Sequence, residues 1–418
     1  MLELERRTGS SELRRLEFAL WGQTTNPSND LDDVVDHILD LRKRRETAPA
    51  KRAFDKKEIK ARAECYSKKS SNFTDYCDMN MRYLRISGVL QRKGRGITLV
   101  PSKHVVAEQM ASTGYSTDSL LNKLIELANG APLPTDNYEV ARKVFKSLQQ
   151  QLDERHILYD LSDLDLSSVN SCNIARRRLE NALSKTNELR YAAEQPQQWR
   201  EIAEYMTLLI RGGGQKDLDD DNYIEVPKSE TPAYLEWVLW RAILAIGELI
   251  NKPYEIRGFK LDSDFLPVSA AGGGKGDLNC EYEDRFLLTE VTMSTSSRQE
   301  AMEGEPVRRH VSDACFKYDK PVLGLFIATK IDTNTAETFR HGVWYAKNDC
   351  YQRLNILPLT LEQFRDYFCW MFESRHANPS SIFGLIQACT EIRDDCDAPR
   401  WKKQISETVA ARIADQNS

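Results

Sequence analysis

Gly276-Asp277-Leu278-Asn279-Cys280-Glu281-Tyr282, followed after Glu283-Asp284-Arg285 by Phe286-Leu287-Leu288-Thr289-Glu290-Val291-Thr292, is the stretch whose reading decides the C-terminal fold. Its alternation predicts two strands joined by a tight acidic turn. The first strand opens with a carboxylate, and the second carries one near its end. A carboxylate inside a strand flanked by Phe, Leu and Val is costly to bury unless a cation or a donor meets it. Two carboxylates converging on adjacent strands suit Mg²⁺, which takes hard oxygen ligands and holds few protein groups.

Upstream, Pro232 and the run Ala-Tyr-Leu-Glu-Trp-Val-Leu-Trp-Arg-Ala-Ile-Leu-Ala-Ile predict a strongly apolar helix, with Pro in its first turn and Glu236 as its one early acid. Downstream, a helix is expected from about Arg298 to Tyr318, then the continuous apolar strand Val322–Ala328. Strand, crossover helix and buried strand make a right-handed βαβ unit with the last strand parallel. Gly342–Tyr345 reads as another short strand, and helices near Leu361–Phe372 and Ser381–Ile392 cover the sheet. Residues 229–418 are therefore expected to form an α/β domain with a mixed sheet. Gly272-Gly273-Gly274-Lys275-Gly276 would let a DNA backbone approach closely. It is not a phosphate-binding P-loop, because Lys275 is followed by Gly rather than Ser or Thr, and this argues against nucleotide hydrolysis there.

The N-terminal part differs in texture. The whole chain of 418 residues carries a net charge of −5, yet Lys51–Lys103 holds 14 Lys/Arg against 5 Asp/Glu. Such a basic block localises affinity for a polyanion. An amphipathic pattern around Leu13, Leu16, Phe18, Leu20 and Trp21 precedes a helix over Asp32–Arg45. Within 54–103 the pattern predicts a helix-turn-helix with a wing: a helix over Lys57–Ser67, a turn at Ser70-Ser71-Asn72, and a second helix with Tyr76, Met79, Tyr83 and Ile86 on one face. Gly88 stops that helix, and a hairpin with a Lys93-Gly94-Arg95-Gly96 tip follows. Tyr76, Met79 and Tyr83 are expected to be core. The outward Arg82, Arg85, Arg92, Lys93 and Arg95 are expected to meet double-stranded DNA, helix in the major groove and tip against phosphates. Residues 1–105 are thus read as a helical and winged-helix DNA-binding domain, and 106–228 as a helical linker. That linker ends in the acidic run Asp217-Leu218-Asp219-Asp220-Asp221-Asn222, a solvated segment rather than a calcium loop, since Asn222 and Lys228 occupy the glycine and glutamate positions.

Composition, with 41% apolar and 29% charged residues, is that of a globular protein of two or three domains. No apolar run reaches the roughly 20 residues of a membrane span, and the N-terminus lacks a signal-peptide core. Nine cysteines without a close-paired CxxC point to reduced thiols in a cytoplasmic protein.

Pro232-Ala233-Tyr234-Leu235-Glu236-Trp237, the segment Gly276–Tyr282, Glu290-Val291-Thr292, Ser297-Arg298-Gln299 and Glu303-Gly304-Glu305-Pro306-Val307-Arg308-Arg309-His310 together resemble the AlwI family of type IIS restriction endonucleases. The Asp277…Glu290 pair resembles the Asp…Glu-x-Lys core of a nuclease superfamily. The resemblance implies metal-assisted phosphodiester hydrolysis at a fixed offset from a short asymmetric site, or nicking of one strand, by a bacterial cytoplasmic enzyme. It implies Mg²⁺, with Mn²⁺ as a substitute, held by Asp277, Glu290 and the Val291 carbonyl. Glu236 would sit at the site's edge, Glu303 would complete the cluster, and His310 would stand two turns further on. Gln299, Glu303 and His310 are expected to share a helix face. Thr292 stands where the superfamily usually has lysine, which leaves Glu303, His310 or a second metal to activate water. One site per chain implies a homodimer or a second catalytic subunit for double-strand cleavage, and a cognate methyltransferase as functional companion. The family's longer N-terminal part implies a recognition subdomain beyond what this chain shows. A different class of protein remains open: a winged-helix DNA-binding protein whose nuclease-like domain is inactive.

Overall fold

The computed structural model describes every residue except 27–28, 113–119, 132–135, 219–222, 273–275, 296, 347–348 and 415–418. Most of the acidic run near residue 220 and the centre of the Gly-rich loop before Gly276 therefore lie outside the described residues. The chain divides into two compact units: Met1–Thr186 together with a short segment ending at Tyr223, and Asn187–Leu218 with Ile224–Ser418.

In the first unit, α1 (Leu31–Glu46) starts at Asp30, whose side chain accepts from the Asp32 amide, and buries Val35, Ile38 and Leu41. Next come α2 (Lys51–Cys65) and α3 (Ser70–Ile86), then an antiparallel hairpin of β1 (Leu90–Lys93) and β2 (Gly96–Leu99). The residues expected as a turn, Ser70-Ser71-Asn72, instead open α3. Its buried face also differs from expectation. Phe73, Cys77 and Met81 enter the core at four-residue spacing, whereas Tyr76, Met79, Tyr83 and Ile86 are exposed, Tyr83 by 64% and Ile86 by 74%. Both sets have helical spacing, so periodicity identifies the helix without saying which stripe meets a neighbour. The hairpin is tied into the unit: Leu13 exchanges backbone hydrogen bonds with Ile97 at 2.8 and 2.9 Å. Gly96 permits this, since a Cβ there would lie 2.3 Å from the Leu13 carbonyl oxygen. A smaller apolar cluster joins α4 (Tyr138–Glu154) to the first half of α5 (Val169–Glu194) through Phe145, Leu148, Ala175 and Leu179.

In the second unit, α6 (Trp199–Ile210) and α7 (Thr231–Ile246) contribute to one large core. Every residue of α7 except Pro232 is buried. Its one cation, Arg241, is enclosed but satisfied, donating to Gln195, Glu201 and Gln198 at 2.7, 2.9 and 2.6 Å with its guanidinium over the Trp237 ring. Among the described residues the sheet has four strands: β3 (Leu278–Glu281), β4 (Phe286–Thr292), β5 (Val322–Ala328) and β6 (Ile356–Thr360), in the order β6-β5-β4-β3. β3 pairs antiparallel with β4, and β4, β5 and β6 are mutually parallel, so the sheet is mixed as the sequence predicts. Between β4 and β5 runs α8 (Glu305–Lys317), completing the βαβ unit. The sequence pattern does not predict the fourth strand, β6, a five-residue segment with Pro358 inside it. The short strand expected near residue 343 pairs instead with Tyr351–Arg353 in a separate hairpin.

Helices Leu361–Glu373, Pro379–Glu391 and Ala398–Ala414 add their buried faces to the same core. Gly324 in β5 lets two layers approach closely, because a Cβ there would meet Ile356 at 2.9 Å and Val311 at 3.1 Å. Gly324→Val should overpack this junction and lower stability by about 1–3 kcal/mol, read by urea unfolding.

Candidate active site

The register of the β3/β4 hairpin builds the site. Leu278 pairs with Thr289, so Asp277, one residue before β3, stands opposite Glu290 on β4. Cross-strand partners share a sheet face. Glu290 is 8% exposed and Asp277 is half-buried. Asp277 Oδ2 also accepts from the Val291 amide at 2.9 Å. Glu236 reaches the same place from α7 and is held by the Ala271 amide, 2.7 Å from its Oε2. Gly276 leaves room for the cluster, since a Cβ there would lie 3.2 Å from Glu290 Oε1 and 3.0 Å from Leu288.

Two further groups arrive from the helix after β4. The helix expected over 298–318 begins with a π-turn, Glu300–Gly304, before α8 proper. Within that turn Glu303 is half-buried, close enough to Thr292 and Glu290 for both to act on its proton affinity. Further along, His310 Nδ1 stands 2.7 Å from Glu290 Oε1, and Nε2 is buried with no hydrogen-bond partner among the described residues. Nδ1 is therefore the nitrogen that donates, and His310 braces Glu290. Gln299 does not share their face. Fully buried, it donates to the Ser294 and Lys330 carbonyls and accepts from the Asp332 amide. A residue at the edge of a π-turn loses the α-helical angular relation to residues beyond it, and Gln299 clamps two loops instead.

The electrostatics follow from crowding. Burial first, then the charges of Glu290 and Glu236, push Asp277 well above the carboxylate range, against the pull of the Val291 amide. Burial pushes Glu236 up to about 7, with the Ala271 amide opposing and Glu290 adding to the rise. Glu303 is raised by burial and, to a lesser degree, by Glu290, against the pull of Thr292. These are acids held where their charged forms repel. Among the described residues no three His, Cys, Asp or Glu side chains are preassembled around a metal-sized point. Mg²⁺, however, needs only one or two carboxylates and keeps several waters. Carboxyls at 277 and 290 placed across from one another on adjacent strands are a donor set that fits a divalent cation.

The five residues expected to touch DNA are placed as follows. Arg82 lies on the exposed side of α3, and Arg85 is half-buried. Arg92 donates to the Gly94 and Tyr223 carbonyls, and its guanidinium and that of Arg95 lie over the Tyr223 ring at 4.5 and 5.0 Å. Lys93 is more than half exposed, 3.4 Å from Glu12. Among the described residues no helix is long and apolar enough to cross a membrane.

The family model of the AlwI restriction endonuclease matches residues 1–366. The chain belongs to the AlwI restriction endonuclease family. As a member it is a type II site-specific deoxyribonuclease, and DNA is its substrate. One solved structure similar to part of it is the small subunit (R.BspD6I2) of the heterodimeric restriction endonuclease R.BspD6I, with 22% identity, 51% of this chain and 97% of that chain covered, and a TM-score of 0.38. No curated protein sequence matches the chain.

The raised carboxyls set a pH dependence. The folded protein keeps protons that the unfolded chain releases at ordinary carboxylate values, so raising the pH favours unfolding. In EDTA, Tm should fall as pH rises from about 4 through about 7. Asp277→Asn with Glu236→Gln should flatten that slope, and added Mg²⁺ should raise the wild-type Tm more at pH 8 than at pH 5. An unchanged slope in the double variant contradicts the crowding argument.

Proposed function

We propose that this restriction enzyme hydrolyses DNA phosphodiester bonds with Mg²⁺, Mn²⁺ serving as a substitute, at a fixed offset from a short asymmetric site, cutting both strands or nicking one. The observation that carries this reading is the cross-strand placement of Asp277 opposite Glu290. Asp277, Glu290 and the Val291 carbonyl would hold the ion. Bound there, it supplies a Lewis acid for the phosphate oxygens and lowers the pKa of a water molecule.

The chain's own residues do the rest. The Val291 amide fixes one oxygen of Asp277, and His310 fixes one oxygen of Glu290, so each carboxylate points its other oxygen without searching rotamers. Glu236 is anchored by Ala271 and adds negative charge at the edge of the cluster. With His310 engaged by Glu290, Glu303 is the group we assign to accept the proton of the attacking water. Its raised proton affinity moves it from a weak base toward a useful one. Thr292, at the position where lysine is usual, contributes by orienting Glu303.

A recognition part at 1–105, a helical connector over 106–228 and a cleavage domain at 229–418 form the proposed layout, with α6 already packed in the cleavage core. Arg82, Arg85, Arg92, Lys93 and Arg95 on the proposed winged helix would contact the duplex backbone. One site per chain calls for a second copy or a second catalytic subunit where both strands are cut. A cognate methyltransferase would protect the host in its cytoplasm.

The test uses supercoiled plasmid with Mg²⁺. Asp277→Ala and Glu290→Ala should each abolish cutting while gel-shift binding in EDTA survives. His310→Ala should lower the rate by roughly 10–100-fold, the usual cost of losing a residue that orients a ligand, and His310→Asn should recover part of it. Full activity in Asp277→Ala removes the assignment, and an inert wild type under all divalent ions makes the chain a DNA-binding protein with a silent nuclease-like domain.

A further inference from the structure

The exposed apolar side chains of the first unit are not scattered. Among the described residues up to 105, seven large apolar side chains are exposed, and five of them, Tyr76, Met79, Tyr83, Leu84 and Ile86, belong to α3. The neighbouring α1 leaves only Leu31 out, and α2 leaves none. Single exposed apolar residues are ordinary, but a group of them on one helix marks a surface that meets something.

Their arrangement gives the shape of what is met. α3 packs into its unit through one narrow stripe, Phe73, Cys77 and Met81. At about 100° per residue, Met79 and Ile86 stand opposite that stripe, with Tyr76 and Tyr83 beside them. Leu84 falls next to the buried stripe and stands apart. A helix seated in the major groove needs this broad exposure, because a cylinder of about 10–12 Å fills a groove of about 12 Å. From Tyr76 to Tyr83 the stripe runs about 10 Å, the length of about three base steps.

An apolar helix face suits either another protein or the edges of bases, and charge decides between them. Residues 51–103 hold 14 Lys/Arg against 5 Asp/Glu, and the exposed Lys68 and Lys69 lie just ahead of α3. That surplus complements phosphates, and DNA is the substrate of the family to which the chain belongs. The apolar group that a base edge shows in the major groove is the thymine C5-methyl.

We infer that α3 reads sequence through Met79 and Tyr83, whose apolar atoms contact thymine methyl groups in the major groove, with Tyr76 and Ile86 at the ends of the contact. This goes beyond the backbone contacts proposed for the basic residues, which orient a protein without reading bases. It rests on the proposal that the first unit binds duplex DNA, and on nothing at Asp277 or Glu290.

The experiment mixes the full chain in EDTA with duplexes carrying a randomised centre, and the bound fraction is sequenced. No cutting occurs, so a failed active-site assignment leaves the result intact. The selected duplex is then remade with deoxyuridine for thymidine, which removes only the methyl groups. Wild-type affinity should fall about fourfold for each contacted thymine, the worth of one buried methyl group. Met79→Gln/Tyr83→Gln should erase the difference between thymine and uracil duplexes. It should also lower the ratio of selected to random affinity at least tenfold, at unchanged Tm because both side chains are exposed. Met79→Gln alone is the substitute where the double variant melts early. Wild-type protein that prefers a sequence but treats thymine and uracil alike overturns the inference and leaves DNA binding by the first unit standing. So does a double variant that keeps the thymine preference. A double variant that keeps its preference but loses self-association in sedimentation makes the stripe a protein-docking face instead. Wild-type protein that binds no duplex overturns both the inference and the reading beneath it.

Discussion

Asp277, Glu290 and Glu236 repel one another in a place that water only partly reaches, and the second unit is arranged to hold them there. Three elements bring them in: the start of one strand, the middle of its antiparallel partner, and a helix buried on nearly every side. Each carboxyl is fastened by a hydrogen bond, from the Val291 amide, His310 and the Ala271 amide. Without those bonds the acids would swing toward solvent, because repulsion and desolvation act in the same direction. The apolar mass around α7 and the four-stranded sheet supplies the rigidity that makes such a site tolerable.

That rigidity explains why the supporting residues are unusual. Arg241 lies inside the core with three acceptors for its guanidinium, where a broken contact would strand a buried charge. Gly276 and Gly324 occupy positions where a methyl group would press on Glu290 and Leu288, or on Ile356 and Val311. The π-turn at Glu300–Gly304 swings Glu303 toward Thr292 while leaving Gln299 to pin the loops on either side. Such turns are often found where a side chain must be re-aimed at a functional site.

The first unit meets a different demand. Its basic residues are largely organised by acids: Arg42 by Glu17, Arg45 by Asp55, Arg15 by Asp78. Pairing of this kind fixes guanidinium planes and preserves local positive charge wherever cations outnumber carboxylates. The hairpin tip is held by Tyr223 and Leu13 rather than projecting alone, so Arg92 and Arg95 present oriented rather than freely moving charge.

The sequence by itself determined the C-terminal elements whose patterns are strong: the alternating β3/β4 pair, the apolar α7, the uninterrupted β5 and the crossover helix between them. Because a strand's side chains alternate with period two, it also put Asp277 and Glu290 on one face once the two strands were paired in register. Tertiary structure alone decided the rest. Both stripes of α3 have helical spacing, and only the neighbours showed that Phe73, Cys77 and Met81 go inward while Tyr76, Met79 and Tyr83 face out. The π-turn separating Gln299 from Glu303 has no periodic signature, and His310 became a brace for Glu290 because of where α8 crosses β4. Strand β6, only five residues with a proline inside, is a strand because β5 offers it a parallel edge. Local pattern fixes what a segment can form, whereas which face, which partner and which proton donor depend on atoms far away in the chain.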